Sequence, residues 1–202
     1  MNPDRLKAIA TGIIKQWGCS ILLLPFVIYS LHQAYGALRF NIFFSISYDF
    51  PFPINIIHLF LDNFLLIIHE AGHMFLGIFG WRTLTILGGS LWEVMLPVII
   101  LAYFWVNNSK TGIQLSLYLV GFSILQVAYY VADASARQLP LLGGLPKEAH
   151  DWSNLLIRWN ALEYDTAVAI CLAIIAVLIY LAALAFPFYH QSYKTVDLDL
   201  NL

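Results

Sequence analysis

Five apolar stretches, each about as long as a helix that crosses a bilayer, constrain the fold of this sequence more than any other feature. A transmembrane helix needs about 20 predominantly apolar residues. The stretches cover approximately residues 17–38, 54–79, 90–106, 112–132 and 166–186. We therefore expect an all-α polytopic membrane protein with about five transmembrane helices, built as a single membrane-embedded domain over residues 1–202.

The composition excludes the main soluble classes. Of the 202 residues, 60% are apolar and 11% are charged, which is more apolar surface than a soluble protein of this length could bury. The net charge is −2 and there is no basic tract, so a nucleic-acid partner is not expected. The lipid bilayer is the expected environment, and Cys19 and Cys171 in their apolar runs are expected to behave as small hydrophobic residues.

Two stretches between the spans lack a helical pattern. Residues 41–53 mix serines, an aspartate and two prolines with aromatic residues, and we expect a loop, a hairpin or a re-entrant piece at the membrane interface. Residues 83–87 contain two threonines and an isoleucine and end at Gly88-Gly89, a pattern that predicts a short strand. Because an unpaired strand cannot face lipid, this strand should pack against protein or line a wet cavity.

The basic residues predict an orientation in the membrane. With five spans, one side of the membrane receives seven lysines and arginines and the other side receives three. The seven are Arg5, Lys7, Lys15, Arg82, Arg137, Lys147 and Arg158, and the three are Arg39, Lys110 and Lys194. Since basic residues concentrate on the cytoplasmic side, we expect the N-terminus and the loop between the fourth and fifth spans to be cytoplasmic.

The second span contains the motif His69-Glu70-Ala71-Gly72-His73, which is H-E-x-x-H on a helix. Histidines four residues apart project from successive turns on one face, so both imidazoles can reach one zinc ion. Glu70 lies about 100° around the helix, too far to serve as a third ligand. It can instead reach a zinc-bound water, remove its proton and pass that proton to a leaving group.

The motif lies on a polar stripe of an otherwise apolar helix. At 100° per residue, Asn55, His58 and Asp62 fall on the same face as His69 and His73. Polar groups at bilayer depth are costly, so this face should point into the bundle or toward a water-filled path. For His58 and Asp62 the alternatives are hydrogen bonds that pack the helices together and the lining of a water path.

A catalytic zinc also needs a third protein ligand and an open position for water. The candidates are the adjacent residues His150 and Asp151, which lie in the loop assigned to the same side as the end of the second span. Either His150 is a ligand and Asp151 caps the following helix, or Asp151 is the ligand. Asp133, at the inner end of the fourth span, is the fallback. Glu93 in the third span either forms a hydrogen bond with a neighbouring helix, or faces the substrate or supports a metal ligand.

These features resemble the site-2 protease-type intramembrane zinc metalloproteases. The resemblance covers approximately residues 66–97, where His69 to His73 stand in a span and Gly88-Gly89 open the next one. It implies that His69 and His73 bind zinc and that Glu70 activates water. In that family the third ligand is an aspartate in an Asp-Gly motif. This chain has no Asp-Gly, and His150-Asp151 stands nearest in role, as in a divergent branch.

The resemblance implies hydrolysis of a peptide bond in or near the membrane, with a transmembrane or membrane-associated peptide as substrate. An unwound substrate could pair with the strand expected at residues 83–87. One alternative is a zinc hydrolase that acts on a lipid or small amphiphile, which a wide lateral opening without a strand edge would favour. Another is a non-enzymatic metal-binding transporter, which inverted repeats would favour, although the sequence shows none. A catalytically inactive scaffold is the third.

Overall fold

A computed structural model describes residues 3–40 and 51–189 of the chain. This part of the protein is helical and contains no strand. Its six α-helices are α1 (Pro3–Phe40), α2 (Ile54–Gly77), α3 (Arg82–Val106), α4 (Lys110–Ala132), α5 (Asp151–Arg158) and α6 (Asp165–Tyr189). Single 3-10 turns at Leu142–Gly144, Lys147–Ala149 and Leu162–Tyr164 lie in the connections before α5 and α6.

Five of these helices are long and apolar enough to cross a membrane, which confirms the expected multi-pass architecture. The candidate spans are Ala10–Ala37, Ile54–Gly77, Arg82–Val106, Lys110–Ala132 and Leu162–Tyr189. The amphipathic helix α5 has only eight residues, too few to cross a bilayer.

Helix α4 forms the centre of the bundle, since more than half of its apolar window is buried, a larger share than in any other span of the described residues. It packs against α6 on one side and α3 on the other. Leu125 and Phe122 of α4 meet Leu65 of α2 and Tyr180 of α6 in one apolar cluster. A second cluster joins the end of α4 to α5 through Val131, Trp152 and Leu155, and thereby fixes α5 beside the ends of α2 and α4.

The strand expected at residues 83–87 is wrong, because these residues form the first turns of α3. The Thr85 hydroxyl donates to the Trp81 carbonyl at 3.2 Å, so this β-branched residue makes its hydrogen bond within the helix. A helix also satisfies its backbone groups internally, which an isolated strand in the membrane cannot do. Of the expected loop at residues 41–53, residues 41–50 lie outside the described part of the chain, and the remaining three directly precede α2.

Helix α1 runs parallel to α4, because Ser20 contacts Gln114 and, further along both helices, the Ser30 carbonyl accepts from the Tyr129 hydroxyl at 3.4 Å. This changes the predicted arrangement of the N-terminus. The Ser20 hydroxyl donates to the Leu184 carbonyl at 2.9 Å and accepts from Gln114 at 2.8 Å. Lys15 and Lys110 line the same groove, at the end of the bundle opposite to α5. The expectation that the N-terminus and the site share one side of the membrane is therefore wrong for the described part of α1, because its packing on α4 and α6 reverses its direction.

Candidate metal centre

The two histidines of the H-E-x-x-H motif converge on Asp151 at the start of α5. The Nε2 atom of His69 lies 3.2 Å from Oδ2 of Asp151, and the Nε2 atom of His73 lies 3.1 Å from the same oxygen. Ligand atoms of the three residues all lie within 4.8 Å of one another. This group could hold a metal ion, and it joins two residues of α2 to a residue 78 positions after His73 in the chain.

Hydrogen bonds on the far side of each ring direct the Nε2 atoms inward. Nδ1 of His73 lies 2.8 Å from the carbonyl oxygen of Thr85, and Nδ1 of His69 lies 3.0 Å from Oε2 of Glu93. A carbonyl can only accept, so Nδ1 of His73 carries a hydrogen, and in the neutral imidazole Nε2 keeps a lone pair. The Glu93 carboxylate also accepts only, so in neutral His69 the hydrogen is likewise on Nδ1. Metal-binding histidines are oriented in this way by a carbonyl or a carboxylate.

Asp151 is held in place by a tyrosine that the sequence did not single out. The Tyr130 hydroxyl accepts from the backbone N–H of Asp151 at 3.0 Å and lies 3.2 Å from Oδ2, to which it donates. Next in the chain, Trp152 donates to the Ser90 hydroxyl at 2.9 Å and ties α5 to α3.

These residues fit a divalent metal by the chemistry of their donor atoms. With the Nδ1 hydrogens committed elsewhere, the neutral imidazoles present two lone pairs to a carboxylate oxygen, with no hydrogen between them. Such acceptors repel one another unless a cation lies among them. Two imidazole nitrogens and one carboxylate oxygen, with a position left for water, form a ligand set that catalytic zinc sites use.

His150, the alternative third ligand, directs its ring nitrogens at groups other than the motif histidines. Its Nδ1 accepts from the backbone N–H of Ser153 at 3.2 Å, which makes His150 the N-cap of α5. Its Nε2 lies 3.3 Å from Oδ2 of Asp133, and the residue is 1% exposed. The structure therefore places Asp151, and not His150, with the motif histidines, and the capping role falls to His150.

Asp133, the fallback ligand, fixes the loop between α4 and α5 instead. Its two carboxylate oxygens accept from the backbone N–H groups of Gln138 and Leu139, each at 2.8 Å. Burial raises the pKa of Asp133, but the bonds from His150 and from these amides hold that pKa below its ordinary value. The carboxylate thus joins the beginning of the loop to its end at His150.

Three glycines allow α2 and α3 to approach at the metal centre. A Cβ atom on Gly72 would collide with the carbonyl oxygen of Gly88 and would lie 2.6 Å from Cβ of Trp92. A Cβ atom on Gly89 would collide with Nε2 of His69 and would lie 2.6 Å from Nε2 of His73. Gly89 therefore leaves open the space beside the two candidate ligand atoms.

Glu70 lines a cavity of about 380 Å³ together with the three candidate ligands. The wall opposite α2 is formed by Tyr129 and Tyr130 of α4 and by the leucine-rich loop at residues 139–145. The lining combines seven aliphatic residues, two tyrosines and seven charged, histidine or amide residues, so it offers both apolar surface and polar groups to a bound molecule. The cavity gives Glu70 access to the same space as the converging ligand atoms.

The polar stripe of α2 divides into two environments and does not form one continuous path through the described helices. The ring of His58 packs against those of Tyr29 and Phe122, with centroid distances of 4.4 and 5.1 Å, and its Nε2 lies 3.0 Å from the Tyr118 hydroxyl. Asp62 instead lines the cavity of the metal centre. Helix packing thus accounts for His58, whereas Asp62 belongs to the site.

The residues missed by sequence reasoning are those that orient the ligands. Tyr130 is one of several tyrosines, and Thr85 acts through its backbone carbonyl, so neither carries a pattern in the sequence. Comparison of the chain with protein-family models, curated proteins and solved structures finds no match.

Proposed function

We propose that this protein is a membrane-embedded zinc-dependent metalloprotease that hydrolyses a peptide bond of a membrane-inserted or membrane-associated substrate. The observation that carries the proposal is the convergence of Nε2 of His69 and Nε2 of His73 on Oδ2 of Asp151, in a cavity that also contains Glu70. Zinc, when bound there, would supply Lewis acidity toward a carbonyl oxygen and would acidify water.

Glu70 has the role of general base in this proposal. As the catalytic carboxylate it takes a proton from the attacking water and returns it to the amide nitrogen that leaves, so the proton count balances over one turnover. It lies next to His69 in the chain but projects about 100° away around the helix, which leaves its carboxylate free of the ligand set.

Replacing Glu70 by glutamine separates binding of the metal from hydrolysis. We expect Glu70→Gln to retain zinc and to lose hydrolysis by about 10²–10⁴-fold, since the amide cannot accept the proton of water. Zinc content of the purified protein and cleavage of a library of apolar peptides are the measurements. Glu148→Gln, an exposed carboxylate on the same side of the bundle, is the matched control and should leave both unchanged. A wild-type rate of hydrolysis in Glu70→Gln would show that Glu70 is not the general base.

A zinc hydrolase that acts on a lipid or small amphiphile is the second candidate. It gains support because residues 83–87 are helical, so the described residues offer no strand edge to an unwound peptide. The same apolar wall at residues 139–145 could accommodate an acyl chain. Release of fatty acid from phospholipid vesicles by the wild type, but not by Glu70→Gln, would favour this candidate over the protease.

A cytoplasmic position of the metal centre stays a prediction. The bundle end that holds the centre carries Arg82 at the start of α3 and Arg158 at the end of α5. The opposite end carries Lys15 and Lys110, so basic residues, which favour the cytoplasmic side, lie at both ends. Labelling of a cysteine introduced at Arg158, from one side of the membrane at a time, measures this orientation directly.

A further inference from the structure

This inference deepens the proposed protease function and concerns how the substrate is recognised. Because residues 83–87 form a helix, no strand edge next to the metal centre can bind the backbone of a substrate in the described part of the chain. Recognition then depends on side chains that line the cavity. Of the seven charged, histidine or amide side chains in the lining, five belong to the metal centre or adjoin it, so the remaining two are the ones that can discriminate between substrates.

Asp62 and Gln126 form the polar end of this cavity. Gln126 of α4 donates through Nε2 to Oδ1 of Asp62 on α2, and both residues line the cavity that contains the metal centre. Asp62 precedes His69 by seven residues, which is about 10 Å along the helix axis. The cavity thus extends from the metal ligands to a second, separate polar position.

The charges around the cavity favour a cationic occupant at that position. Four carboxyl groups line the cavity, those of Asp62, Glu70, Glu93 and Asp151, and its lining includes no lysine or arginine. Two positive charges of a metal ion would leave the lining negative. Among the described residues, the partner of the Asp62 carboxylate is the neutral amide of Gln126. A carboxylate at membrane depth is costly, and a positively charged partner would offset that cost.

We propose that Asp62, oriented by Gln126, is a specificity-determining residue that binds a lysine or arginine side chain of the substrate. An extended peptide advances about 3.3 Å per residue. The distance of about 10 Å along α2 therefore places the cationic side chain about three residues from the scissile bond. The substrate class is an apolar membrane peptide with a single basic residue close to its cleavage site.

The test measures binding without turnover, in zinc-loaded Glu70→Gln protein in detergent micelles. The probes are fluorescent apolar peptides in which one lysine is moved stepwise along the chain, compared with the parent peptide that has norleucine throughout. We expect one lysine position to bind about tenfold more tightly than the parent. Adding Asp62→Asn should abolish this difference, and Asp62→Glu should restore part of it.

Two further measurements make the result decisive. Glu148→Gln, an exposed carboxylate outside the cavity, should keep the full lysine preference. Zinc content and thermal unfolding show whether Asp62→Asn is folded. If Asp62→Asn is unfolded, Asp62→Glu provides the second test. Equal affinity for all peptides, or a lysine preference that persists in folded Asp62→Asn, would overturn the inference. The binding measurement does not depend on hydrolysis, so the two failures can be told apart. If the wild type cleaves none of the peptides, the protease function is contradicted.

Discussion

The Nδ1 atom of His69 and the Oε2 atom of Glu93 lie 3.0 Å apart in the interface between α2 and α3. Both residues are buried, with exposed fractions of 5% and 6%. A glutamate at bilayer depth is costly, and here it fixes the tautomer and the direction of a candidate metal ligand. Glu93 is therefore understood as a positioning residue for His69, and this makes its replacement informative.

Replacing Glu93 by leucine should weaken metal binding without unfolding the protein. The change removes the acceptor of the His69 Nδ1–H group, and loss of such a partner typically lowers metal affinity about 10–100-fold. Glu93→Gln keeps an oxygen that accepts this hydrogen and should lose less. Zinc titration with a competing chelator measures the affinity, and circular dichroism checks the fold. Equal affinity in wild type and Glu93→Leu would contradict the role.

Asp151 and His150 should behave oppositely when each is replaced. Asp151→Ala removes the carboxylate on which His69 and His73 converge, so the purified protein should lose its zinc. His150→Ala removes an N-cap, which costs about 1 kcal/mol of stability, and should retain zinc. His150→Asn preserves the capping capacity and should be closer to the wild type in melting temperature. Loss of zinc in His150→Asn together with its retention in Asp151→Ala would reverse the ligand assignment.

Tyr130→Phe tests the two-point contact between the tyrosine hydroxyl and Asp151. The variant keeps the buried ring and removes one hydrogen bond to the carboxylate and one acceptor for the backbone N–H. We expect about a tenfold loss of zinc affinity with little change in packing. Tyr164→Phe, at an exposed tyrosine, is the control. Identical zinc titrations for the two variants would show that the hydroxyl does not position Asp151.

Gly89→Ala should damage the metal centre by steric conflict. The added methyl group would occupy the space directly beside Nε2 of His69 and of His73, so one or both rings must move. Zinc content should fall sharply. Gly36→Ala, in α1, adds a methyl group that meets no atom within 4 Å, and a stability gain of about 1 kcal/mol is expected there from helix propensity. A zinc-replete Gly89→Ala protein would show that the rings tolerate displacement.

Asp133 predicts a pH dependence of stability. The pKa of Asp133 in the folded protein lies below its ordinary value, so the ionised carboxylate stabilises the fold. This stabilisation is fully present above the unfolded-state pKa of about 4. It is lost as the pH falls through the folded-state pKa. Asp133→Asn should cost about 1–3 kcal/mol near neutral pH, because one of the backbone N–H groups of Gln138 and Leu139 loses its acceptor. Thermal unfolding of both proteins against pH is the measurement. The wild type should lose more stability than Asp133→Asn on acidification, and parallel curves would contradict the assignment.

The sequence by itself determined the spans and the motif, because both depend on local patterns. Apolar runs of bilayer length predict membrane helices regardless of how these pack, and H-E-x-x-H places two imidazoles on one face through helix periodicity alone. The all-helical multi-pass architecture was predictable for the same reason. The strand expected at residues 83–87 failed because β propensity is weak compared with the need to satisfy backbone hydrogen bonds within the membrane.

The tertiary structure decided which distant residues meet. Asp151 rather than His150 joins the histidines, because His150 is engaged as the cap of α5 and by Asp133. The direction of α1 follows from its packing on α4 and α6 and could not be read from a count of basic residues. Contacts between residues far apart in the chain depend on helix packing and on loop geometry, and neither leaves a periodic pattern in the sequence.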